Sequence, residues 1–199
     1  MELRGTEALT LEVGASLAPK AARALVPQRF ELEDGRANVL LFRMTGLSVA
    51  RFDYFEALWR VSVRHEGALA WFAVKCDIDH PIVRGLGARL VRYPTRAAKI
   101  VGSEGKWSVD AGGTKLEIGV RDEDKASVPE LRRCFVASGD RVYEIPWNEE
   151  PPAKARAVRV KVEDDALVRA TFGDGAKLDE TGVVHRGRVH ICGFAKRIG

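Results

Sequence analysis

A chain of 199 residues with 46% hydrophobic and 30% charged side chains can bury a sizeable core without disulfide or metal staples. Its excess of four positive charges, with a pI of about 9.1, is spread along the sequence, so nucleic acid is not an expected partner. No apolar run approaches bilayer length, and MELRGTEALTLEV carries acids early where a leader would be apolar, so a membrane span and a signal peptide are not expected and a cytoplasmic location is.

The chain in order opens with a short strand over 7–13. A helix over 16–25, SLAPKAARAL, is started by Ser16 and ended by Pro27. Glu33 to Arg36 (EDGR) is a turn signal, and 38–45 is a strand buried on both faces. From Tyr54 to Arg64 the residues alternate. Ala57, Trp59, Val61 and Val63 share one face, and Glu56, Leu58, Arg60, Ser62 and Arg64 share the other. His65-Glu66-Gly67 turns into a returning strand over 69–77, which predicts an antiparallel hairpin.

Asp79-His80-Pro81 starts a short helix, because Asp79 or His80 can cap it and Pro81 suits its first turn. Gly85 and Gly87 weaken it and Tyr93-Pro94 ends it. A strand over 97–101, a turn over 103–106 and a hairpin of 107–110 with 114–121 follow. Residues 122–125 read as a charged loop, 129–137 as a strand or a helical turn leading into one, and 141–145 as a strand. Three prolines in 146–154 predict a loop or an edge crossing. Strands over 155–163, 166–172 and 182–194 complete the chain, with no domain boundary inside 1–199. About ten short strands with one or two short helices predict a mainly β, α+β domain that closes or doubles its sheet, since open edges are a liability.

Recognised catalytic and metal patterns are absent from the sequence. Cys76, Cys134 and Cys192 are odd in number and lack a CxxC spacing, which predicts buried, inert thiols in a reducing compartment. His65, His80, His185 and His190 have no metal-ligand spacing, so no metal is expected. Gly85-Leu86-Gly87 lacks the context of a dinucleotide fingerprint. Arg89, Arg92 and Arg96 read as a solvated helical stripe, and the four tryptophans as core or pocket walls.

The run YFEALWRVSVRHEG, the apolar strand after it and CDIDHPIVRGLGARLVRYPTRAAK over 76–99 together resemble acetoacetate decarboxylase and its relatives. Tyr93-Pro94-Thr95-Arg96 stands where that family has a Phe-Pro-Lys-Lys stretch. The resemblance covers roughly 38–121 and implies a closed mixed β barrel, or double sheet, around a central pocket, often in a homo-oligomer. In acetoacetate decarboxylase, the standard instance of a lysine activated by a depressed pKa, the amine forms a Schiff base with a β-keto acid. The resemblance aligns that lysine with Arg121, in Gly119-Val120-Arg121-Asp122. A guanidinium stays protonated, so Schiff-base decarboxylation there is not expected, and Arg121 becomes a carboxylate clamp.

Glu56 matches a pocket glutamate of the family and takes the acid/base role. Tyr54 and Arg60 on its strand, and Lys115 and Glu117 on the strand of Arg121, are the expected substrate contacts. Solvated or ion-paired strand faces are the alternative for Arg60, Arg64 and Lys115. The expected function is lyase or proton-transfer chemistry on a small anionic oxo compound without a cofactor. A non-catalytic small-molecule binder and a structural or oligomeric protein on the same scaffold are the alternatives.

Overall fold

The computed structural model describes residues 2–4, 7–46, 53–125, 132–149, 154–187, 189–192 and 194–198. In chain order the elements are β1 (Glu2–Arg4), β2 (Glu7–Ser16), α1 (Pro19–Leu25), β3 (Glu31–Thr45), β4 (Tyr54–His65), β5 (Ala68–Ile78) and α2 (Pro81–Leu86). A π turn over Gly87–Val91 continues α2. Next come β6 (Thr95–Ala97), β7 (Lys99–Gly102), β8 (Lys106–Ala111), β9 (Thr114–Lys125), β10 (Arg133–Ser138), β11 (Arg141–Ile145) and β12 (Trp147–Glu149). The chain ends with β13 (Lys154–Asp164), α3 (Ala166–Phe172), β14 (Lys177–Gly187), β15 (Val189–Cys192) and β16 (Lys196–Ile198).

One 13-stranded sheet runs in the order β16-β11-β10-β5-β4-β3-β2-β14-β13-β9-β8-β7, and β6 pairs beside β5. Among the described strands, only β10 and β6 pair in parallel, both with β5, sharing one of its edges end to end. The small sheet β1-β15-β12 is separate. The mainly β architecture agrees with the sequence, but the closed barrel does not. The sheet rolls until β7 packs over β3 and β4, and Phe55 meets the Trp107 ring edge-on at 6.2 Å. Both edges of β3 and of β4 already carry ladders, so β7 meets them through side chains; the run 95–102 bonds β5 through β6 and β8 through β7, but the two ladders break at Ala98, so the sheet is not one continuous closed ladder.

Inside the roll lies the main core, with Trp59, Trp107, Phe30, Phe135 and Phe172 fully buried. Burying one such phenylalanine contributes about 1.5–3 kcal/mol. A second apolar layer packs on the opposite face of β3, β4 and β5, where Leu40, Phe42 and Leu58 meet Val83, Val91 and Tyr93 from the α2 region. Strand β4 is therefore buried on both sides, and the face the sequence assigns to charge is an interior one.

Several expected boundaries shift for local reasons. Pro19 takes the first turn of α1, and Ser16 stays in β2. EDGR does turn, but inside β3: Asp34 and Gly35 adopt φ of 41° and 66°, and the β3–β4 register slips between Leu32 and Ala37. Residues 122–125 extend β9, and 147–149 form β12 against β15. The expected strand over 166–172 is the helix α3. Leu167, Val168 and Phe172 bury one side of it, and Gly173, at φ 95°, ends it. The first part of the expected 129–137 element lies outside the described residues, and its end forms β10.

The β3 bulge supplies a test. A Cβ on Gly35 would sit 2.3 Å from the Leu17 carbonyl oxygen, and Leu17 donates its N–H to the Gly35 carbonyl at 2.8 Å. Gly35→Ala is expected to lose about 2–3 kcal/mol in denaturant melts. Gly67→Ala, at φ 78° with open space around it, should lose only about 1 kcal/mol.

Candidate functional site

Alternation along β4 sends Tyr54, Glu56, Leu58 and Arg60 into the second layer. Its neighbour β5 contributes Cys76, opposite Leu58, and the parallel β10 contributes Cys134. Tyr93 descends from the end of the π turn, which Arg92 terminates in the left-handed region at φ 62°. The result is a buried polar group within apolar walls.

Glu56 is only 5% exposed, and burial raises its pKa to about 7 while a hydrogen bond from the Cys76 thiol pulls the other way. Loss of hydration and then the Glu56 charge push the Tyr54 hydroxyl and the Cys76 thiol well up. Burial also holds Tyr93 well above its ordinary value, and its hydroxyl has no hydrogen-bond partner. Cys134 is pushed up to about 11 by burial, with Arg60 opposing. These thiols and phenols are neutral near pH 7, while Glu56 alone sits at its midpoint.

Arg60, 8% exposed, supplies the positive charge. Its Nε donates to Asn38 Oδ1 at 3.0 Å, its Nη2 lies 3.4 Å from Glu12 Oε1, and its guanidinium stacks over Trp71 at 4.6 Å. Arg132 lies over the same indole at 5.3 Å. Near Glu12, His185 is lowered by burial and Thr10 keeps a buried hydroxyl without a partner.

The expected site residues thus divide in two. Tyr54, Glu56 and Arg60 share one interior face. Arg121 and Lys115 are exposed, and half-buried Glu117 pairs with Lys106 at 3.7 Å. Strand β9 turns Leu116, Ile118 and Val120 into the core, so the alternate residues Lys115, Glu117 and Arg121 must face outward. The expected clamp at Arg121 is therefore not beside Glu56. The imagined arginine stripe also dissolves, because the helix stops before Arg96, whose Nε donates to Asp77 Oδ1 at 2.9 Å.

Sequence reasoning did not foresee Cys76, Tyr93 and Cys134 around Glu56, nor a second polar centre. Asp77, fully buried on the main-core side, accepts from Trp59 Nε1 at 2.8 Å and lies 3.2 Å from Lys75 Nζ. Lys75 also donates to Thr171 of α3 at 2.6 Å. Among the described residues, no three His, Cys, Asp or Glu side chains gather as a metal site.

The raised Glu56 value makes a stability prediction. Its folded pKa lies above 4.5, so the protonated form favours the fold. That stabilisation is complete below pH 4.5 and lost as pH rises through about 7, roughly 3 kcal/mol in all. Urea melts from pH 4.5 to 8 should show this loss relative to Glu56→Gln, whose curve lacks the Glu56 component.

No protein-family model matches the chain. Among solved structures, acetoacetate decarboxylase from Legionella pneumophila superposes with a TM-score of 0.81 at 14% identity, covering 100% of this chain and 88% of that one. An acetoacetate decarboxylase-like enzyme from Sphingomonas wittichii RW1 gives 0.75 at 16% identity, over 98% and 92%. The enduracididine biosynthesis enzyme MppR, complexed with the condensation product of pyruvate and imidazole 4-carboxaldehyde, gives 0.78 at 15%, over 98% and 89%. A curated 7-cyano-7-deazaguanine synthase from Chlorobium luteolum is 26% identical over 111 residues, 56% of this chain and 49% of that protein, so the match spans about half of the relative.

Proposed function

The chain has the acetoacetate decarboxylase-like fold, and from that premise we propose that its second layer holds a small 2-oxo or 3-oxo carboxylate and moves a proton at the carbon beside the carbonyl. The observation that carries this reading is Glu56, a buried carboxyl whose pKa of about 7 lets it take and return a proton near neutrality. Arg60 supplies the carboxylate contact originally expected of Arg121. The unpartnered Tyr93 hydroxyl and Tyr54 donate to the carbonyl oxygen as it becomes an enolate. A pyruvate-derived ligand in MppR supports an oxo acid as the substrate class.

Glu56 as the base suits direct enolisation, with no imine step. Arg121 is exposed and takes no part in this reading.

Ligand-induced thermal shifts test the binding half. Pyruvate, 2-oxobutyrate and acetoacetate should raise the melting temperature of the wild type. Arg60→Met should lower their affinity at least about tenfold, the loss of one charge-assisted contact. Shifts that survive in Arg60→Met would place the carboxylate elsewhere. A shift without any turnover would favour the non-catalytic binder.

A further inference from the structure

Arg60 is held from two sides on the second-layer face. Asn38 stands directly opposite it across β3 and β4, and Glu12 lies two residues along β2 from Gly14, which faces Asn38 on its other side. The Asn38 amide turns its two ends to opposite charges. Its Oδ1 accepts from Arg60 Nε at 3.0 Å, and its Nδ2 donates to Glu12 Oε1. A cation on one side and a carboxylate on the other leave that amide one orientation. The direct contact of Arg60 Nη2 with Glu12 Oε1, at 3.4 Å, is longer than an ordinary charge-assisted hydrogen bond. Neither contact of the guanidinium uses Nη1. The group lies over the Trp71 ring, and its charge acts on Tyr93 and Cys134, which wall the Glu56 group.

We propose, resting on the oxo-acid reading of this site, that Asn38 is a positioning residue that keeps Arg60 available to the substrate carboxylate, and that Glu12 is the resident carboxylate with which the substrate competes. A guanidinium this buried needs a counter-charge when no anion is bound, and Glu12 supplies it. A close, two-pronged Arg–Glu pair would occupy the donors that a second carboxylate needs. The interposed amide prevents that pair from forming. It takes Nε and Glu12 Oε1 for itself and keeps the ion pair stretched. Burial lowers the pKa of His185 beside Glu12, so near neutrality it is no rival cation for that carboxylate.

Titration of the full chain with pyruvate, by calorimetry for affinity and by deuterium wash-in for turnover, tests this. Without the amide Arg60 closes on Glu12, so Asn38→Ala should raise Kd and KM at least about fivefold and leave kcat within about twofold. Glu12→Gln keeps an oxygen for Asn38 Nδ2 but loses the charge, and should tighten pyruvate about threefold or more. The double variant Asn38→Ala/Glu12→Gln should return to within about threefold of the wild type, because the competitor is gone. A merely structural Asn38 would show no such rescue. Unchanged affinity in Asn38→Ala, a loss in kcat instead of a rise in KM, or a double variant as weak as Asn38→Ala would each overturn the proposal. Should Asn38→Ala melt below the assay temperature, Glu12→Gln alone decides, and no tightening overturns it. A ligand-free measurement separates this role from the oxo-acid reading. The Arg60 Nε–H signal in heteronuclear NMR, assigned by its loss in Arg60→Met, should move and exchange faster with water in Asn38→Ala. An unmoved signal in a protein that binds pyruvate overturns the positioning role alone. A wild type that binds no oxo acid overturns the substrate reading, and this role with it.

Discussion

Glu56→Gln is expected to abolish deuterium wash-in at the carbon beside the carbonyl of a bound 2-oxo acid. Incubated in heavy water with pyruvate, the wild type should exchange methyl protons, followed by proton NMR. The variant should be slower by about 10²–10⁴-fold, the usual contribution of a positioned general base. Glutamine keeps the volume and the Cys76 contact but can neither take nor return a proton. The ligand-induced thermal shift should therefore persist while exchange disappears, which separates the acid/base role from a role in packing. The base is the carboxylate, so the wild-type rate should climb with pH and level off above about 7. Exchange in Glu56→Gln within threefold of the wild type would remove Glu56 from the chemistry. No exchange in either protein, with binding intact, would leave a binder.

Asp77→Ala is expected to be the most damaging single change to stability, by about 3–5 kcal/mol. The carboxylate has no exposure and satisfies the Trp59 indole N–H, Lys75 Nζ and Arg96 Nε at 2.8, 3.2 and 2.9 Å. Removing it strands an indole donor in the main core and leaves the Lys75 ammonium, 16% exposed, without its counter-ion. Burial already lowers the Lys75 pKa and the Asp77 charge holds it up, so Asp77→Asn should lower it further. The folded state would then bind fewer protons than the unfolded one, and the stability of Asp77→Asn should rise with pH above neutrality. Adding Lys75→Met to Asp77→Asn should recover more than half the loss, because the uncompensated charge is gone. A double variant no more stable than Asp77→Asn would mean that the indole bond, rather than the ion pair, dominates.

The hairpin of β4 and β5 was legible because alternation and the His65-Glu66-Gly67 turn agree on one register. That same alternation on β9 already told against a buried Arg121. With Leu116, Ile118 and Val120 apolar, Arg121 belongs to the other face, and only the positional carry-over from the family argued otherwise. ALVRATF reads as a strand from its valine, threonine and phenylalanine. Tertiary burial of Leu167, Val168 and Phe172 on one side overrides that propensity. EDGR carried correct turn chemistry, but a strand can absorb two residues of positive φ as a bulge and keep going. Cys134 could not be placed near Glu56, because that depends on β10 joining β5 in parallel across distant sequence, and Tyr93 arrives from the π turn; only Cys76 followed from the hairpin register.

Strand β2 takes β3 on one edge and β14 on the other, and the outer contact includes Arg186 and Glu7, 179 residues apart, at 2.8 Å. During synthesis that outer edge must stay unladdered until residue 177 and those after it have left the ribosome. Loop closure on this scale is slow, so the rate-limiting step of refolding should be the docking of β14, and a chaperone would find the nascent chain at β2.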